Sequence, residues 1–94
     1  MEITKETILK RTDMQGVWED ETNTLKEWFE YVLNTLWLED RISNSDYDKG
    51  LKITDLKYML SEIASFADIY EFEFIIIKDN KEFSFDEFGN VIEL

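Results

Sequence analysis

YEFEFIIIKDNKEFSFDEFGNVIEL, from Tyr70 to Leu94, is the stretch on which the fold turns. Glu71, Glu73, Ile75 and Ile77 alternate with Phe72, Phe74 and Ile76, the two-residue period of a strand. Asp79-Asn80 suits a two-residue hairpin turn, which would set Ile76 opposite Phe83 and Phe74 opposite Phe85. Phe88-Gly89 as a second tight turn would set Ile92 opposite Phe85 and Leu94 opposite Phe83. Both turns then agree with the hydrophobic pattern, the condition that pins register in a sheet. The reading is three strands at about 70–77, 82–86 and 91–94, forming an antiparallel meander with one phenylalanine-lined face.

Upstream the period changes to three and four. Thr24 and Glu27 have capping-box spacing, and Leu25, Trp28, Phe29, Val32, Leu33, Leu36 and Trp37 form an apolar stripe that predicts a helix over 25–41. Thr54 caps a second stripe of Leu56, Met59, Leu60, Ile63, Ala64 and Ala67, a helix over 54–67. Thr4 similarly opens a short helix over 4–11. The segments from Asp13 to Asn23 and from Ser43 to Gly50, each polar and containing a glycine, read as connections. The expected fold is α+β: three N-terminal helices packed on one face of a C-terminal three-stranded antiparallel meander, with 1–94 forming a single acidic domain.

The chain of 94 residues carries 22 Asp and Glu against 10 Lys and Arg, a net charge of -12, with no His and no Cys. Disorder does not suit it, because 3 Trp, 7 Phe and 4 Tyr supply a core. Without His or Cys the usual general base, the commonest zinc ligand and the thiolate nucleophile are missing, and the three glycines lie too far apart for a phosphate-cradling loop. The expectation is therefore a non-enzymatic protein with no cofactor. The longest apolar run, Ile75 to Ile77, is far too short to span a bilayer, and the charge would repel both nucleic acid and anionic lipid. A cytoplasmic protein with a basic protein partner is the reading that follows.

With both tight turns in register, Glu71, Glu73, Glu82, Asp86 and Glu93 would share the sheet face away from the phenylalanines, beside Ile75, Ile77, Ser84 and Val91. Five acids and no base on one face, with Glu73 opposite Asp86, would ordinarily destabilise a sheet. A basic partner would relieve that cost, whereas a plain solvated face would use the charges only to discourage edge pairing. Alternate side chains on a strand stand roughly 6.8 Å apart, twice the strand rise, and duplex phosphates advance about 3.4 Å per base pair on each strand. Such a row of acids can imitate every second phosphate, and Ile75 and Val91 would add apolar contact.

Trp18, followed by Glu19, Asp20 and Glu21, is either a loop anchor folded over the core or an interface centre ringed by acid. Asn44, Asp46, Asp48 and Asp55 fall at positions 1, 3, 5 and 12 of a segment that partly resembles an EF-hand calcium loop. The segment departs from that pattern at position 6, which is Lys49 with the glycine displaced to Gly50, and at position 12, which lacks the longer Glu. Asp55 is also explained by the first turn of the next helix.

In size and charge, though in no motif, the chain resembles the acidic anti-restriction and anti-CRISPR inhibitors carried by phages and mobile elements. That likeness implies an inhibitor that occupies the nucleic-acid-binding surface of its target as a nucleic-acid mimic. An immunity protein neutralising a basic toxin or nuclease would need the same acidic surface, and a non-catalytic housekeeping subunit could use the charge for solubility alone. The exposed edge of a three-stranded sheet would also allow a homodimer.

Overall fold

In the computed structural model, which describes residues 2–13 and 22–94, the elements follow the order β1 (Ile8–Arg11), β2 (Thr22–Thr24), α1 (Leu25–Leu38), α2 (Asn44–Leu51), α3 (Leu56–Tyr70), β3 (Phe74–Lys78), β4 (Lys81–Phe85) and β5 (Val91–Glu93). The sheet has five strands in the order β2-β1-β3-β4-β5, every neighbouring pair antiparallel. The expected three-stranded meander is thus overturned: two N-terminal strands extend it, and β3 lies at its centre.

The expected helix over 4–11 does not form. Thr4 does cap a turn: Glu6 N–H donates to its hydroxyl at 3.2 Å, and Thr7 N–H donates to its carbonyl at 3.1 Å. The turn stops there because Ile8 to Arg11 gain more by pairing with β3, where Leu9 faces Ile76 and is fully buried. The β-branched Ile8 favours that choice over a second helical turn. The Thr7 carbonyl then accepts from Leu25 N–H at 2.7 Å, tying the turn to the start of α1.

α1 begins as its sequence predicts. The Thr24 hydroxyl accepts from Glu27 N–H at 3.1 Å, and the Glu27 carboxylate accepts from Thr24 N–H at 3.0 Å. That second bond holds Glu27 below its ordinary carboxyl pKa, and the Thr24 hydroxyl beside the carboxylate adds to it. Leu25, Trp28, Phe29, Val32 and Leu33 are buried. They meet Met59, Leu60, Ile63 and Phe66 of α3, and Leu9, Phe74, Ile76 and Phe83 of the sheet, in one core. Trp28 lies edge-on to Phe74 with ring centroids 4.7 Å apart, and its indole N–H donates to the Leu9 carbonyl at 3.0 Å. A buried tryptophan thereby keeps both its apolar area and its one donor satisfied. α3 is capped one residue later than expected, since Asp55, and not Thr54, accepts from Tyr58 N–H.

α2 occupies the segment read as a connection. Ser43 caps it by accepting from Asp46 N–H at 3.1 Å, with Asp46 in the first turn and Lys49 in the last, both favourable to the helix dipole. Gly50 is buried within it because α2 crosses α1 closely: a Cβ there would stand 2.7 Å from Leu33 Cδ2. The glycine that looked like a breaker is a contact point between helices.

α1 and α3 run parallel, with α2 returning the chain between them. Phe29 and Tyr58, in their first turns, approach to 6.4 Å between ring centroids. At the opposite end the Tyr70 hydroxyl donates to Glu39, and the Arg41 guanidinium lies 5.6 Å from the Tyr70 ring centroid. Both helices cover the phenylalanine side of the sheet. No helix of the described residues is long and apolar enough to cross a membrane.

Candidate interaction surface

The first hairpin follows the expected register, with Ile76 opposite Phe83 and Ile77 opposite Glu82. Asp79 and Asn80 take left-handed conformations, φ 53 and φ 62, as a two-residue turn with a matching twist requires. The second hairpin does not follow its expected register. Val91 pairs with Phe85, Ile92 with Ser84 and Glu93 with Phe83, one residue away from the expected alignment.

A one-residue slip exchanges the two faces of a strand. Val91 therefore packs against the core, and Ile92 stands outside at 53% exposure. Glu93 moves to the phenylalanine side, where Lys81 pairs with it at 3.7 Å. The cause is a loop longer by one residue than Phe88-Gly89. Asp86 N–H donates to the Asn90 carbonyl, and the Asp86 carboxylate accepts from Phe88 N–H and Asn90 N–H, both at 2.9 Å. The Asn90 bond leads in holding the Asp86 carboxyl below its ordinary pKa. Gly89 supplies the left-handed residue at φ 78 that a three-residue hairpin loop uses.

The five expected acids consequently do not share a face. Glu82 is on the outer side, and Glu73 lies at the mouth of β3 with its N–H donating to Asp13 Oδ1 at 3.1 Å. Asp86 is turned into its own loop, Glu93 is on the opposite side, and Glu71 ends α3. The outer centre of the sheet is instead the row Ile8, Ile77, Lys10 and Ile75, with Ile8 opposite Ile77 and Lys10 opposite Ile75. Trp18, Glu19, Asp20 and Glu21 lie outside the described residues.

The calcium-loop resemblance is corrected by α2. Asn44, Asp46 and Asp48 sit at every second position of a helix, so their side chains step by about 200° and cannot converge as they do in an extended loop. Asp55 is occupied in capping α3, and the Asn44 side chain accepts from the Trp37 indole. Among the described residues no group of three or more carboxylates is placed to hold a metal ion.

The carboxylates that the tertiary structure does bring together lie where α1 and α3 end. Glu39 caps α1 and Asp40 follows it; Asp68 is in the last turn of α3, Glu71 caps it, and Glu73 follows two residues later. All five are exposed. Arg41 pairs with Glu39 at 3.7 Å. Arg11, nearby through Phe72, lies 3.5 Å from that ring's centroid and is held by Asp13 through two bonds of 2.8 and 2.9 Å. That fork is the main reason the Asp13 carboxyl lies below its ordinary pKa. The Glu39 bond pushes the Tyr70 hydroxyl up, and burial within this end adds to it.

Two features of this end run against helix stability. Neither α1 nor α3 has a base in its last turn, so acids face the negative ends of both helix dipoles. Both helices also terminate through a left-handed acidic residue, Asp40 at φ 57 and Glu71 at φ 60, where glycine is ordinarily preferred. Leu38 and Ile69, 74% and 62% exposed, stand at the same helix ends. Acids and open apolar side chains are interleaved there.

Of this cluster, Glu71 and Glu73 were candidates from sequence for a different reason, while Glu39, Asp40 and Asp68 were not. The signal that could have found them is the absence of a base in the last turn, and of a glycine at the end, of two helices, legible only once the helices are known to be parallel. No family model, curated protein or solved structure matches the chain.

Proposed function

We propose that this protein is a stoichiometric inhibitor that covers the basic nucleic-acid-binding surface of a target protein, and that it does so with the acidic end of the α1/α3 pair. The observation that carries the reading is the double left-handed acidic ending. Asp40 and Glu71 sit where glycine would be less strained, against dipole ends that disfavour negative charge. A cost retained at the ends of both helices is accounted for by what the carboxylates meet outside the chain.

The chemistry supports binding by occlusion. Five exposed carboxylates on rigid helix ends present a fixed negative pattern to lysines and arginines that otherwise hold phosphates. Leu38 and Ile69 supply the apolar contact that a specific interface needs at its centre. Net charge of -12 would steer the encounter, so association slows as salt rises.

The test separates binding from folding. Glu71→Gly is expected to raise stability by about 1 kcal/mol, by relieving the left-handed side chain, and to weaken capture of the target. A triple reversal of Glu39, Asp68 and Glu71 to Lys is expected to abolish capture at low salt, whereas Glu82→Lys on the outer sheet face leaves it unchanged. Captured target should be released by duplex DNA or RNA. Capture that survives the triple reversal in a folded chain, or a target that binds nucleic acid and this protein together, would overturn the proposal.

A further inference from the structure

At the opposite end of the α1/α3 pair, beside the capping acids Glu27 and Asp55, lysines gather around an opening. A pocket of about 350 Å³ opens between the N-terminal turn, the first turn of α1 and the α2–α3 connection. Its floor is apolar, from Ile3, Ile53, Leu56 and Met59, and three of the chain's 10 bases stand around it: Lys5, Lys26 and Lys52. Among the described residues no wall of this pocket is a carboxylate, although acids outnumber bases by more than two to one in the chain.

We infer that this pocket binds a small amphipathic anion, a carboxylate carried on a short apolar body. The volume falls in the range of small-molecule sites, and an apolar floor with a few convergent polar groups is their usual construction. None of Lys5, Lys26 and Lys52 forms an ion pair among the described residues. Lys26 donates to the Leu51 carbonyl at 3.2 Å, which orients its ammonium at the rim and leaves two of its three donors for a ligand. The Thr4 and Thr54 side chains stand on the same walls and can donate to a carboxylate.

Capping of α2 by Lys26 explains that one bond but not the gathering of Lys5 and Lys52 around the same apolar opening. A neutral apolar ligand would leave three ammonium groups at the rim without a counter-charge, and a cation would be repelled. Glu6, Glu27 and Asp55 adjoin wall residues in sequence but do not line the pocket, and acids farther off are screened beyond about 8 Å at physiological salt, so among the described residues the three lysines are the charges on its walls. The inference does not depend on the acidic end of the helices and can fail or succeed separately from it.

The experiment is an NMR titration of the full chain with octanoate, using octylammonium and octanol as matched controls. Saturable shifts of the Ile53, Leu56 and Met59 methyl groups are expected with octanoate and not with octylammonium, and octanol should bind more weakly. Lys26→Gln with Lys52→Gln should weaken octanoate by about tenfold, the sum of two exposed ion-pair contributions. Lys26→Arg with Lys52→Arg should retain it, which distinguishes lost charge from a disturbed α2. Shifts that never saturate, equal binding of octylammonium or octanol, or shifts centred away from these methyl groups would overturn the inference.

Discussion

The two hairpins of the sheet look alike in sequence and differ in what holds them. Asp79-Asn80 closes the β3–β4 hairpin with its own backbone, both residues being left-handed, and so its register follows from two residues alone. The β4–β5 hairpin is closed by partners: the Asp86 carboxylate gathers two N–H groups of its own loop, and Gly89 packs against Lys57 of α3. A turn determined locally can be read locally. A turn determined by a helix elsewhere in the chain cannot, and the one-residue difference took Asp86 and Glu93 off the expected acidic sheet face.

The largest expected effect is at Gly89. A Cβ there would meet the Lys57 carbonyl oxygen and stand 2.6 Å from Lys57 Cγ, at a φ of 78 that side chains avoid. Gly89→Ala is expected to cost about 3 kcal/mol in a denaturant titration, from backbone strain and the clash together. A loss under about 1 kcal/mol would mean that the loop does not depend on α3.

The register itself is tested by a pair. Val91→Asp places a carboxylate against the core and should cost about 2 kcal/mol, whereas Ile92→Asp on the exposed side should cost under about 0.5 kcal/mol. If the order reverses, the tight-turn alignment is the correct one.

Asp86→Ala should lower the melting temperature by less than Gly89→Ala does, with a pH signature. The Asp86 carboxyl lies below its ordinary pKa in the folded state, first through Asn90. Its contribution is therefore present above the ordinary carboxyl pKa and is lost as pH falls through the lower folded value. Wild type and variant should differ at neutral pH and converge below about pH 4. A constant difference across that range would show that the carboxylate is not what closes the loop. Smallest is Asn80→Gly, where the backbone is already left-handed and a change within about 0.5 kcal/mol is expected by the same titration. A larger change would show that the Asn80 side chain also takes part.

Legibility elsewhere followed the same division. The Thr24–Glu27 box and the stripe from Leu25 to Leu33 were readable because cap and apolar period lie within one helix. The segment 4–11 was misread because the turn capped by Thr4 is real but stops at Thr7, and Ile8 to Arg11 pair with a strand more than sixty residues away. α2 was misread because a buried glycine looks like a breaker until Leu33 is known to lie against it, although Ser43 and Asp46 had the spacing of a cap and first-turn acid. The sheet-face site failed with the second turn for Asp86 and Glu93, and with the extension of α3 to Tyr70 for Glu71. The acidic helix ends were invisible for another reason, since Glu39 and Tyr70 are distant in sequence and meet only because α1 and α3 are parallel.

By itself the sequence determined the charge of -12, the main helix with its cap, the first hairpin and its register, and the want of His and Cys chemistry. Each is a property of composition or of contacts within a few residues, where propensity and turn geometry act. Only the tertiary structure decided that the sheet has five strands, that Val91 faces inward, and that acids collect at one end of the helices while three lysines surround a pocket at the other. Those features depend on which distant segments bury one another: an apolar period marks a face to be buried, but the hydrophobic effect, being non-directional, does not name the segment that covers it.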